Sequence, residues 1–259
     1  MPADQEQPSV AKEPRRSSAE SPDGNLPSSQ QQIRNILEQP PSREIADVWQ
    51  LVSEQSPELR CLVPLIQRTS RFHGGTFRAP LNEESDIRLE FSDADLHVIE
   101  ELMIHRKRSV ELVAHQLGIA PDALTPRLLK IFIFLHEIGH AFNYIHDFLE
   151  PRIQSGNKNP KTEATAAYGE RFGREIASLP LPKAAPSTLA QWVAIPPIFW
   201  DHVKHYAPSP DVFATLSKRP PEEIVREQEE AYKKLESEQI ADTFAADFIR
   251  KNSLIARFS

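Results

Sequence analysis

The chain has 259 residues, with 30 Lys and Arg against 37 Asp and Glu, a net charge of −7, and 39% hydrophobic residues. That balance is ordinary for a soluble globular protein and argues against one built to neutralise many nucleic-acid phosphates. Cys61 is the only cysteine, which excludes an intramolecular disulfide and a Cys-rich zinc module.

The first 30 residues contain no continuous apolar run that would read as a secretory signal. The longest strongly apolar stretch, Ile131 to Leu135, falls far short of the roughly 20 residues a membrane span needs. The expectation is an intracellular, cytoplasmic protein with no membrane partner. The short basic run Lys12-Glu13-Pro14-Arg15-Arg16 leaves nuclear entry open.

Proline marks the ordered and irregular parts. Seven of the 23 prolines fall within 1–43, among Ser, Gln, Glu and Asp with little apolar bulk, so residues 1–34 read as a disordered tail. The folded unit is expected over 35–255. Ile45, Val48, Trp49 and Val52 are spaced three and four apart and predict a helix with one buried stripe, as do Leu59, Leu62, Val63 and Ile66. Ile87-Arg88-Leu89-Glu90-Phe91 alternates apolar and charged residues and predicts a half-buried strand, with Thr76-Phe77-Arg78 as a partner behind Gly74-Gly75. Ser92 is placed to cap the next helix, which carries Leu96, Ile99, Met103 and Ile104.

Nine prolines lie within 180–221, together with Trp192, Ile195, Ile198, Phe199 and Trp200, which predicts an irregular insertion packed on the domain. A last helix is expected over 222–251. It opens with the i,i+4 pairs Glu229/Lys233 and Glu230/Lys234 and turns amphipathic through Ile240, Phe244 and Phe248. The fold class is α+β, mainly helical with a small sheet.

The chemistry concentrates in Ile131-Phe-Ile-Phe-Leu-His136-Glu137-Ile-Gly-His140. The apolar positions define a buried central helix over about 127–145. The two histidines, i,i+4, stand one turn apart on one side of it, where they can hold one zinc ion. Glu137 falls beside them, placed to take a proton from a water on zinc. The string resembles the HExxH zinc metallopeptidases, the zincins, and their gluzincin branch in particular. The resemblance implies a zincin-like domain with one Zn2+ per chain. It makes His136 and His140 the ligands, Glu137 the general base, and a peptide or protein the substrate.

A catalytic zinc needs a third protein ligand, and three residues compete. Glu163 lies 23 residues beyond His140 in an Ala-rich segment suited to close helix approach, and in gluzincins the third ligand is a glutamate on a second helix. It is the favoured third ligand. Glu238 is its near rival, because Glu238-x-x-x-Asp242 resembles the gluzincin arrangement in which the aspartate orients a zinc-bound histidine. It stands 98 residues beyond His140. His146 would complete a metzincin-like string with Asn143 at the turn position, but no methionine comes later in the chain to form that family's downstream turn. Tyr144, Tyr168, His202, His205 and Tyr206 are candidates to stabilise an oxyanion.

One pattern belongs to another class. Val110 to Leu124, behind Arg106-Lys107-Arg108, resembles a helix-turn-helix DNA reader, although Pro126 falls early in what would be its second helix. It supports an alternative in which the zinc is structural and the protein binds DNA or a partner.

Overall fold

The structure, a computed structural model, describes residues 40–70, 74–179 and 221–258. The tail expected over 1–34 and the aromatic part of the Pro-rich insertion lie outside these residues. Helix α1 (Arg43–Gln55) forms where the apolar spacing predicts it and buries Ile45, Val48 and Val52. The helix expected over Leu59–Ile66 does not form. A 3-10 turn at Pro57–Cys61 leads instead into strand β1 (Leu62–Thr69). Pro64 is the reason: it has no N–H for a helix interior, whereas an edge strand accommodates it.

With β2 (Gly75–Arg78) and β3 (Ile87–Ala94), β1 makes a three-stranded sheet of order β1-β3-β2. The central strand β3 runs parallel to β1 and antiparallel to β2, and its Ile87, Leu89 and Phe91 are buried on one face, as the alternation predicts. Because β3 continues to Ala94, Ser92 lies inside the strand. Helix α2 (Leu96–His105) begins behind Asp95 instead. It buries Ile99 but leaves Ile104 65% exposed.

Helix α3 (Lys107–Leu117) ends at Gly118, whose φ of +71° makes a left-handed cap. No recognition helix comes after that cap. A 3-10 turn (Pro121–Ala123) leads directly into α4 (Pro126–Asn143), which is buried from Leu128 to Asn143 except at Ile133, Glu137 and Phe142. Such a helix, covered on almost every side, is the centre of a fold and cannot enter a DNA groove. Arg106 and Arg108 pair with Glu229 and Glu230 at 3.0 and 2.9 Å, so that basic run is largely answered within the protein.

Thr125 starts α4 by accepting the Leu128 N–H on its side-chain oxygen, with Pro126 at the first helical position. Buried Lys130 then ties α4 to its neighbours. It pairs with Asp93 and with Glu44 (3.2 Å) and donates to Ser42 Oγ and to the Ala94 carbonyl. A π-helical segment (Tyr144–Leu149), α5 (Glu150–Gln154) and α6 (Pro160–Ala177) come next. The expected last helix is two, α7 (Pro221–Tyr232) and α8 (Glu236–Lys251), before a short α9 (Leu254–Phe258). Glu229 and Glu230 bond α2–α3 residues rather than Lys233 and Lys234.

Helix α8 packs along α4, and their backbones touch at Gly139, where a Cβ would lie 2.7 Å from Ala241 Cα. The helices run antiparallel, so His136 faces Asp242 and His140 faces Glu238. Among the described residues no helix is long and apolar enough to cross a membrane.

Candidate metal centre

His136, His140 and Glu238 are buried and converge on one point between α4 and α8. The two imidazole Nε2 atoms are 3.2 Å apart. Glu238 Oε2 is 3.4 Å from His136 Nε2, and Glu238 Oε1 is 3.3 Å from His140 Nε2. Zinc with its ligand atoms at about 2.0–2.2 Å in tetrahedral geometry places those atoms about 3.3–3.6 Å from one another. The observed separations lie at the short end of that spacing.

The polar inventory points the same way. Buried Glu238 Oε1 has no hydrogen-bond partner among the described residues, so a carboxylate oxygen and two ring nitrogens meet around a point that calls for positive charge. Two imidazoles and a carboxylate are a donor set that suits zinc.

His136 is oriented from behind. Its Nδ1–H donates to Asp242 Oδ1 at 2.7 Å, which leaves the Nε2 lone pair facing inward. Burial and the nearby Lys233 charge pull the His136 pKa down, but Glu238 and the hydrogen bonds to Asp242 and Glu238 outweigh them and push it up to about 9. Burial would raise the Glu238 carboxyl, yet the two histidines hold it well below the usual carboxylate range. Without a metal, then, the cluster holds a proton at His136 between two carboxylates.

Glu137 turns away from α8 towards the sheet. Its Oε2 accepts the Phe77 N–H at 3.2 Å, and a Cβ on Gly75 would lie 2.3 Å from its Cγ. Gly75 and Phe77 alternate with residues that bond β3, so their backbone groups lie on the outer edge of β2. Only glycine at 75 lets that edge lie against Glu137.

The favoured third ligand is not brought to the site. Glu163 is exposed in the first turn of α6, with Oε2 taken by Asn157 Nδ2 at 2.6 Å. The face of α6 that turns inward carries Ala164 instead. Glu238 is the glutamate that joins the histidines. His146 is also elsewhere: it is exposed, bonds Asp147 at 2.8 Å and stacks on Phe142. Asn143 has φ −58° and continues the helix, so the metzincin-like turn does not occur.

Among the tyrosines, Tyr144 is buried and bonded to Thr165 and the Lys161 carbonyl, which is a packing role. Tyr168 packs edge-on against Phe77 and Phe148, and burial, then the charges of Glu238 and Glu137, raise its pKa. His202, His205 and Tyr206 lie outside the described residues. Two neighbours of the cluster carry no motif signal: Tyr232, whose hydroxyl bonds Glu238, and Lys233, whose ammonium bonds Asp242. Their place just before Glu238 was the available clue. No family model, curated protein or solved structure matches the chain.

Proposed function

We propose that this protein is a zinc-dependent metallopeptidase, a zincin of gluzincin type, with His136, His140 and Glu238 as ligands and Glu137 as general base. The observation that carries the reading is the buried His136–His140–Glu238 cluster, with separations close to those around one tetrahedral ion. Bound zinc would supply Lewis acidity, lowering the pKa of a water to about 7 and polarising a substrate carbonyl. Glu137, held at Oε2 by the Phe77 N–H, would take a proton from the attacking water and hand it to the leaving amine. Asp242 keeps the His136 proton on Nδ1, so Nε2 stays a ligand.

A peptide or protein is the substrate class that the zincin reading implies; the outer edge of β2 lies against Glu137 and holds its carboxylate through the Phe77 N–H. The rival reading is a structural zinc, which is closed by four protein ligands; the described residues supply three.

The test is zinc content per chain, on wild type, Glu238→Ala and Glu163→Ala, then peptide turnover of Glu137→Gln. Zinc near one per chain in wild type and Glu163→Ala, lost in Glu238→Ala, is the expected result. Glu137→Gln should keep zinc and lose turnover. Wild type without zinc after metal-replete purification, or Glu137→Gln as active as wild type, would overturn the proposal.

A further inference from the structure

We infer that Lys233 is a positioning residue for the metal centre: its ammonium clamps Asp242, and Asp242 in turn fixes the His136 ring. The inference rests on the metal-site reading above. Lys233 lies in the turn between α7 and α8, and its Nζ donates to both Asp242 oxygens, at 2.9 Å to Oδ1 and 3.2 Å to Oδ2. Oδ1 is also the atom that accepts His136 Nδ1–H. A carboxylate held on both oxygens cannot swing about its own axis, so the imidazole bonded to it is held in one plane.

Charge gives the same answer. Glu238 and Asp242 place two carboxylates against the histidines. Among the described residues Lys233 is the one Lys or Arg within 4.0 Å of Glu238 or Asp242, reaching Glu238 Oε2 at 3.8 Å. The carboxylate side chains it meets are 2% and 13% exposed, so the contact is poorly screened by water.

The clamp is itself anchored. Glu229, one helical turn before Lys233, is buried against Arg106 at 3.0 Å, and Glu230 meets Arg108 at 2.9 Å. These pairs pin the end of α7 to the α2–α3 corner. The end of α7 and the turn after it therefore deliver two successive side chains, Tyr232 to Glu238 and Lys233 to Asp242. A lysine that merely filled the surface would need neither both oxygens of one carboxylate nor a fixed backbone behind it.

The test is the zinc dissociation constant of the full chain, by competition with a chromogenic chelator, for wild type, Lys233→Met, Lys233→Arg, Asp242→Asn and the double variant Asp242→Asn/Lys233→Met. Lys233→Met should bind zinc about 10- to 100-fold more weakly, the range typical for partners behind a ligating histidine. Lys233→Arg, which keeps the charge and a two-pronged grip, should return to within a few-fold of wild type. The double variant should equal Asp242→Asn, because a residue that acts through Asp242 has nothing left to act on.

Wild-type affinity in Lys233→Met, or a further tenfold loss in the double variant relative to Asp242→Asn, overturns the assignment. If Lys233→Met fails to fold with its Asp242 charge uncompensated, the comparison of Asp242→Asn with the double variant decides alone. A wild type that takes no zinc overturns the metal-site reading itself, an outcome distinct from equal zinc binding by wild type and Lys233→Met.

Discussion

Gly139→Ala tests whether the seam between α4 and α8 builds the proposed metal centre. The added methyl would meet Ala241 Cα at 2.7 Å, the Ala241 carbonyl oxygen at 2.8 Å and its carbonyl carbon at 3.1 Å, all backbone atoms that no rotamer change removes. Ordinary contact begins near 3.4 Å, so the two helices must part by roughly 0.7 Å. Overpacking of this kind costs about 1–3 kcal/mol, and the better helix propensity of Ala returns about 1 kcal/mol. The fold should therefore survive with a modest loss of stability. The metal site should not. Ligand distances tolerate about 0.2 Å, and a displacement of Glu238 and Asp242 by roughly 0.7 Å exceeds that severalfold. The expected result is a folded protein whose thermal midpoint in EDTA falls by a few degrees while zinc affinity drops at least about tenfold. Wild-type zinc affinity in Gly139→Ala would refute the view that this contact sets the ligand geometry.

Gly75→Ala addresses the other side of the site. Its methyl overlaps Glu137 Cγ and would push the carboxylate off the Phe77 N–H, so zinc content should hold while peptide turnover falls by about 100-fold; unchanged turnover would remove β2 from the positioning of Glu137. Lys130→Met strands the buried Asp93 carboxylate and should cost about 3–5 kcal/mol in urea unfolding, with a loss under about 1 kcal/mol contradicting the reading. Metal-free protein should become less stable as the pH rises. His136 is raised in the folded state to about 9, so its stabilising contribution is complete below about pH 6.5 and is lost as the pH passes through 9. Urea midpoints in EDTA at about pH 6, 7.5 and 9 should decline in that order, and a rise would contradict the assignment. Zinc should flatten the trend, because the ion takes the place of the proton.

The central helix was legible because its apolar positions and its three site residues lie within one short segment. Strand β3 was legible from the alternation of Ile87, Leu89 and Phe91, and β2 as its partner behind Gly74-Gly75, but the end of β3 was not, because Ser92 reads as a helix cap. The 59–66 segment misled because Leu59, Leu62, Val63 and Ile66 satisfy helical spacing, and the single Pro64 outweighs that pattern. The third ligand could not be decided by distance along the chain. Glu163 had the commoner spacing, but the meeting of α4 with α8 depends on two small residues, Gly139 and Ala241, that pair only in three dimensions. Lys233 and Tyr232 were hidden for a related reason. On a helical wheel Lys233 is the partner of Glu229, and only the break between α7 and α8 at 233–235 turns it inward.

The two halves of the proposed metal centre are far apart in the chain: His136 and the Asp242 that orients it are 106 residues distant. Joining them closes a long loop, and closure entropy must be met before any ligand contact rewards it. Helix α4, apolar almost all round, precedes its cover α8 by about a hundred residues, so until α8 docks, the third ligand is missing. On the zinc reading, metal uptake is the closing step of maturation, and it acts as a clasp across the chain that stabilises docked α8 by mass action. A molecule that loses its ion would reopen first along this seam. Its susceptibility to proteolysis in the α7–α9 region would then report whether the ion is bound.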